Sequence, residues 1–264
     1  MKSKKNQIFG PVFKKSVSKY PYDREIWALA WPALGALAAD PLVSLIDTAF
    51  VGQLGATQLG ALGVNASIFS FTFWLFAFLA YGTTPAIARV ISQGQPEKAG
   101  AIINQALVLA LLSGSLALLV LQLVANPLIG LMGAQGELAE ASLKYYRIRA
   151  CSGPAVLVIM AGHGIFRGFQ DTKTPFYLTL VLNLINLVLD PIFIFVLDWG
   201  LAGAAWATLI AQWFGAGAFL FLFLAKRRKE LQVPIRWPGW LSLLPLLKVG
   251  SALIIRTLAL AGTL

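Results

Sequence analysis

The sequence predicts an all-α integral membrane protein: a six-helix transmembrane lobe plus a partial seventh helix. Three observations predict this. Hydrophobic residues make up 58% of the 264-residue chain and charged ones only 12%, where a soluble domain would carry about 25% charge. The mean hydropathy is +0.75. The apolar residues also fall in runs of about 20 or more, the length a helix needs to cross the hydrocarbon core. These runs are apolar all round and far longer than the ~10-residue alternating strands of a membrane barrel, so helices are the way to satisfy the backbone in lipid.

The first span is expected over 26–51, reached through a polar, lysine-rich tail that lacks the short apolar core of a secretory signal. The second is expected over 59–87 and the third over 101–123, where Asn126-Pro127 ends the run. The fourth falls at 148–166, the fifth at 175–197 and the sixth at 201–224; a seventh begins near Trp240. The chain therefore divides into a basic cytoplasmic tail (1–23), a six-helix lobe (24–225), a basic cytoplasmic linker (226–239) and a partial seventh helix (240–264).

Charge alternates between the loops. One side carries Lys2, Lys4, Lys5, Lys14, Lys15, Lys19 and Arg24, then Arg89 and Lys98, then Arg167 and Lys173, then Lys226, Arg227, Arg228, Lys229 and Arg236. The other side carries three cations, Lys144, Arg147 and Arg149, beside Glu137, Glu140 and Asp198. The positive-inside rule puts the N-terminus in the cytoplasm, for which a cell inner membrane is the expected setting. Trp27, Trp199, Trp237 and Trp240 fall near span ends, where aromatic belts sit. The net charge of +10 is an orientation signal of this kind and does not call for nucleic acid.

Two acidic residues lie deep in apolar spans, each followed by proline: Asp40-Pro41 and Asp190-Pro191. A carboxylate at the bilayer centre costs about 2.5–3.5 kcal/mol on insertion scales, so it is kept where it faces a protein or water-filled interior. Pro41 and Pro191 each remove a backbone donor and are expected to bend their helices. Counted from the start of their spans, Asp40 and Asp190 lie roughly 21 and 22 Å deep at 1.5 Å per residue, a match that lets them share a cavity. Asp40, Ser44 and Asp47 fall on one helix face, as do Asn183, Asn186 and Asp190. Thr208 and Gln212 offer a third stripe, with Gln212 expected to be structural. His163, the sole histidine, and Cys151, the sole cysteine, are expected to pack, and Gly164 and Gly168 form a small-xxx-small pair for close helix contact.

Enzyme chemistry finds little support. There is no histidine pair or cysteine cluster for a metal and no glycine-rich phosphate loop. The two membrane aspartates lack the Gly-x-Gly-Asp context of an intramembrane aspartyl protease.

The same segments resemble the multidrug and toxic compound extrusion (MATE) family. The strings are Asp40-Pro-Leu-Val-Ser-Leu-Ile-Asp-Thr-Ala-Phe-Val-Gly-Gln-Leu-Gly55, Arg167-Gly-Phe-Gln-Asp-Thr-Lys-Thr-Pro175, Asn186-Leu-Val-Leu-Asp-Pro191 and Gly200-Leu-Ala-Gly-Ala-Ala-Trp-Ala-Thr208. Ile255-Arg-Thr-Leu-Ala-Leu260 resembles the seventh helix of the DinF-like branch. The resemblance implies half of a two-lobe, twelve-helix transporter with a central cavity open alternately to each side. It implies Asp40 as the proton-linked acid, joined by Asn186, Asp190 and Thr208, with Asp171 and Thr172 in a cytoplasmic turn where they cap a helix. A missing second lobe or a second chain is then expected as partner. Acids that some branches carry on the seventh helix are absent, Lys248 and Arg256 being its only charges; this favours protons over Na+ as the coupling ion. No other cofactor is implied.

The expected function is export of amphipathic, cationic organic compounds in exchange for protons, with Asp40, Asp190, Asn186, Thr208, Asn183 and Asp47 as proton- and substrate-binding residues. Two other readings stay open: a half-transporter without transport of its own, and a lipid flippase of related architecture, which predicts a more cationic cavity.

Overall fold

A computed structural model of the chain describes residues 23–227 and Gly250. The expected linker and seventh helix lie, apart from these, outside the described residues. The described residues form nine α-helices in order: α1 (Asp23–Gly52), α2 (Ala56–Leu75), α3 (Phe78–Ser92), α4 (Pro96–Leu123), α5 (Ala125–Leu131), α6 (Gly136–Ala150), α7 (Gly153–Gly168), α8 (Lys173–Pro191) and α9 (Gly200–Leu222). Among the described residues, five stretches are long and apolar enough to cross a membrane: Ala30–Gly52, Ala56–Ser92, Lys98–Leu123, Lys173–Val196 and Gly200–Ala225. The bent pair α6–α7 makes the sixth.

Local chemistry sets the breaks. Gly52 and Gly55 close α1 and open α2, Gly55 at φ 119°, a conformation that costs glycine little. Gly94 at φ 69° precedes α4, which starts on Pro96 at a position where the missing N–H is no loss. The second span is interrupted at Phe76–Ala77 and continues as α3. At Pro191 the α-helix ends and residues 192–196 run as a π turn, closed by the Leu197 N–H to the Ile192 carbonyl at 2.9 Å. Proline has no N–H to continue the regular ladder, and single π turns recur at functional places. α1 continues as one helix through Pro32 and an exposed Pro41.

The fourth span departs from the expected 148–166. It is two helices bent by 51°, α6 and α7, joined through Cys151 and Ser152. Hydropathy alone finds only the second half, because α6 carries Glu137, Glu140, Lys144, Arg147 and Arg149.

Helix α7 is the centre of the packing, touching α3, α4, α8 and α9, while α1 lies on α8 and α2 on α6. The contacts are close because glycines line them. A Cβ at Gly114 on α4 would lie 2.5 Å from Pro154 Cα, and one at Gly164 on α7 would lie 2.8 Å from the Ala80 carbonyl oxygen. Gly168 fits against Ile87 one turn further along the same seam. Thr84 Oγ1 donates to the Gly164 carbonyl oxygen at 3.1 Å, joining α3 to α7. Membrane helices gain little from hydrophobic contrast with lipid, so backbone proximity and such hydrogen bonds hold them together.

Candidate functional site

Three polar stripes converge where α1, α8 and α9 face α2 and α6. They line a cavity of about 320 Å³. From α1 come Ser44 and Asp47, from α8 Asn183 and Asn186, and from α9 Thr208 and Gln212. Phe69 and Phe73 of α2 and Tyr145 and Arg149 of α6 complete the wall.

At its floor, Asn186 joins the two acidic helices. Its Nδ2 donates to Asp190 Oδ2 at 2.6 Å, one turn along α8, and to Asp47 Oδ1 at 3.3 Å on α1. Asp190 is fully buried and lies behind Asn186, outside the cavity lining. The two carboxyl groups are within side-chain hydrogen-bonding reach of each other, and among the described residues no donor reaches Asp190 Oδ1. A buried polar oxygen without a donor is unusual and calls for an explanation.

Among the described side chains, the carboxyl group brought to Asp190 is that of Asp47. Asp40 lies two turns earlier on α1, and its side chain is outside those described. Depth counted from the first residue of each span places Asp40 level with Asp190. Counted from the far ends, Asp47 lies before Gly52 and Asp190 before Val196 by about 8 and 9 Å. Thr208 lines the cavity while its Oγ1 donates to the Ala204 carbonyl at 2.9 Å. Asn183 lines the cavity one turn from Asn186. Gln212, expected to be structural, also faces it.

Arg149 is the residue that the sequence does not single out. Charge counting groups it with Lys144 and Arg147 in the outer loop. The structure places it half-buried in the last turn of α6, with its guanidinium carbon 5.4 Å from the Phe69 ring centre and 5.9 Å from that of Phe73. Its Nη1 donates to Gln212 Oε1 at 2.8 Å and also to Ser152 Oγ. The available signal was Gly153-Pro154 just beyond it, a pair that starts a new helix and turns the chain inward. The cavity is therefore not lined by acids and amides alone.

The remaining residues behave as packing elements. His163 Nε2 lies 3.4 Å from Thr179 Oγ1, and its ring is 5.2 Å from that of Phe219. Cys151 is free at the α6–α7 bend. Asp171 accepts from the Thr174 N–H at 2.9 Å and from its hydroxyl at 2.7 Å, which satisfies donors at the start of α8. Among the described residues no group of three or more His, Cys, Asp or Glu could hold a metal ion.

Residues 32–192 match the family model MatE. The chain is 36% identical to Protein DETOXIFICATION 43 of Arabidopsis thaliana over 89% of its own length and 55% of the relative's. It is 32% identical to the DNA damage-inducible protein F of Escherichia coli (strain K12), over 80% of this chain and 45% of that one. A solved structure described as the outward-facing conformation of a multidrug resistance MATE family transporter of the MOP superfamily superposes with a TM-score of 0.82 at 29% identity, covering 89% of this chain and 53% of that chain. The chain spans about half the length of the curated relatives it matches.

Proposed function

Because the chain belongs to the MatE family, we propose that it forms one lobe of a secondary active transporter that exports amphipathic organic compounds in exchange for protons. The observation that carries this is the meeting of Asp47 and Asp190 around Asn186 at the floor of a membrane cavity. A proton between the two carboxyl groups supplies the donor that Asp190 Oδ1 lacks. Releasing it leaves two negative groups in contact, which repel unless a cation or a shift of α1 along α8 relieves them. A bound proton and a cationic part of a substrate are thus alternatives at one place. Exchange follows if they favour different arrangements of the helices, since a ligand shifts an equilibrium only by its differential affinity.

The second wall of the path comes from a second lobe or a second chain. The lobe sits in a cell inner membrane with its N-terminus in the cytoplasm, and protons rather than Na+ drive it. Lipid translocation is a second reading, and the presence of Arg149 in the cavity is the observation in its favour.

The test is efflux of a cationic fluorescent dye from vesicles carrying the full chain, driven by an imposed proton gradient. Asp47→Asn is expected to lower proton-driven efflux about 100-fold, roughly 2.7 kcal/mol of lost coupling, and to flatten its dependence on pH. Unchanged efflux with unchanged pH dependence would refute the proposal.

A further inference from the structure

A second cavity, of about 620 Å³, lies at the end of the lobe opposite Arg89, Arg167 and Lys173. The 54–58 turn, the first turns of α6 and the 198–202 entry to α9 line it. Three carboxylates face this vestibule, Glu137, Glu140 and Asp198, against one cation, Lys144, and the 54–58 turn brings no charge. Only a thin wall parts it from the inner cavity. On α2 the lining passes from Gln58 to Leu62, and on α9 from Ala202 to Thr208, rises of roughly 6 and 9 Å. Val51, Ala61, Ala204 and Ala205 fill the wall with apolar atoms. On α6 the same level holds the fully buried Ser142, between Ala141 on the vestibule and Tyr145 on the inner cavity. Asn65 of α2 ties the seam, its Nδ2 donating to the Ala61 carbonyl at 2.8 Å and the Ser142 carbonyl at 3.2 Å. Among the described residues, Asn65 Oδ1 has no partner, and neither have the hydroxyls of Ser142 and, one turn along α6, Tyr146. All three side chains are fully buried, and the Tyr146 ring lies 5.2 Å from that of Phe69, which borders the inner cavity. Buried polar atoms are almost always paired, with protein or with ordered water. One amide oxygen and two hydroxyls along a single seam match the two to four partners that a buried water takes.

Resting on the export function above, we propose that the α2–α6 seam is the proton inlet of the lobe: a water held by Asn65, Ser142 and Tyr146 passes protons from the acidic vestibule to the cavity that holds Asp47. The excess of carboxylate over cation at the vestibule concentrates hydronium at the mouth. The seam water accepts one proton on the vestibule side and releases another on the cavity side, so charge crosses while the oxygen stays. Hydroxyls both donate and accept and can rotate, so Ser142 and Tyr146 allow the water to turn back for the next proton. Asp47, lining the inner cavity, is the base that receives it. Val51, Ala61, Ala204 and Ala205 keep the wall closed to larger solutes. Protons therefore enter by a path separate from that of the exported compound.

The experiment uses the full chain in vesicles, in a Cys151→Ser background, with Ag+ added outside as a thiol reagent small enough to follow water. The Ser142→Cys thiol is expected to react. A Val158→Cys thiol, buried in the apolar packing around α7, is expected not to. Combining Ser142→Cys with Glu137→Gln, Glu140→Gln and Asp198→Asn should slow the reaction about tenfold at low ionic strength, through loss of the focusing field. A Ser142→Cys thiol that stays unreactive, or a rate that ignores the three carboxylates, overturns the inlet. Ser142→Ala and Asn65→Leu should each lower proton-driven dye efflux about tenfold, the weight of one hydrogen bond. Neither residue lines the inner cavity, so the affinity for the dye should be unchanged, which also shows that the variant is folded. Where a variant does not fold, the Ag+ reaction is the deciding test. Efflux left intact by Ser142→Ala makes the seam water structural only, which overturns the inlet and leaves export standing. Absence of efflux in the unaltered chain overturns both.

Discussion

Asp47 on α1 meets Asp190 on α8 inside the seam where the two helices pack, and the amide of Asn186 donates to both. The two carboxyl groups and the Asn186 amide are therefore one unit with three members. Groups that share a proton titrate as a pair, not as individuals.

A unit of this kind predicts non-additive mutants. Asp47→Asn and Asp190→Asn are each expected to remove proton-driven efflux nearly as completely as the double mutant does. Efflux rates across the four-member cycle check this; effects that add in free energy would mean that the two carboxyl groups act separately. Asn186→Leu should lower efflux as well, since it withdraws the donor common to both.

The glycine seams predict a sharp contrast among small substitutions. Gly114→Ala and Gly164→Ala each push a methyl group into the backbone of a neighbouring helix and should destabilise the fold by about 1–3 kcal/mol. Gly63 on α2 has nothing within 4 Å of its added Cβ, so Gly63→Ala should be neutral or stabilising by about 0.5–1 kcal/mol. Thermal unfolding in detergent distinguishes them.

Membrane orientation is testable at two exposed turns. In a Cys151→Ser background, Gln135→Cys before α6 should react with a membrane-impermeant maleimide from outside intact cells. Gln93→Cys, after α3 and between the cations Arg89 and Lys98, should react only after the membrane is opened. The reverse pattern would invert the orientation drawn from the charge asymmetry.

Most of the bundle was legible before any coordinates. Hydropathy finds five spans because their helices are apolar on every side, and the small-xxx-small pair Gly164 and Gly168 does face α3 as its spacing suggests. Helical periodicity also groups Ser44 with Asp47 and Asn183 with Asn186, and both pairs line the cavity. Arg149 was not legible, for a definite reason. A cation at the edge of an apolar run reads as a loop residue, and only the 51° bend at Cys151–Ser152 carries it inward. Asp47 was legible as a member of the α1 stripe but not as a neighbour of Asp190, while the side chain of Asp40 lies outside those described. Depth along a helix depends on which end is taken as origin.

The glycine contacts differ in what they press against, and this separates a stiff part of the lobe from a yielding one. At α7 the neighbours of Gly114 and Gly164 are main-chain atoms, which cannot swing aside. Between α1 and α8 the close approach at Gly35 is to the edge of the Phe176 ring, 2.6 Å from an added Cβ, and a ring can rotate out of the way. A ring also faces Gly162 of α7, that of Phe219 at 2.6 Å, so the stiff contacts are those that α7 makes with α3 and α4 through Gly164 and Gly114. Distance labels placed on α1 and referenced to α7 are where a working cycle would register.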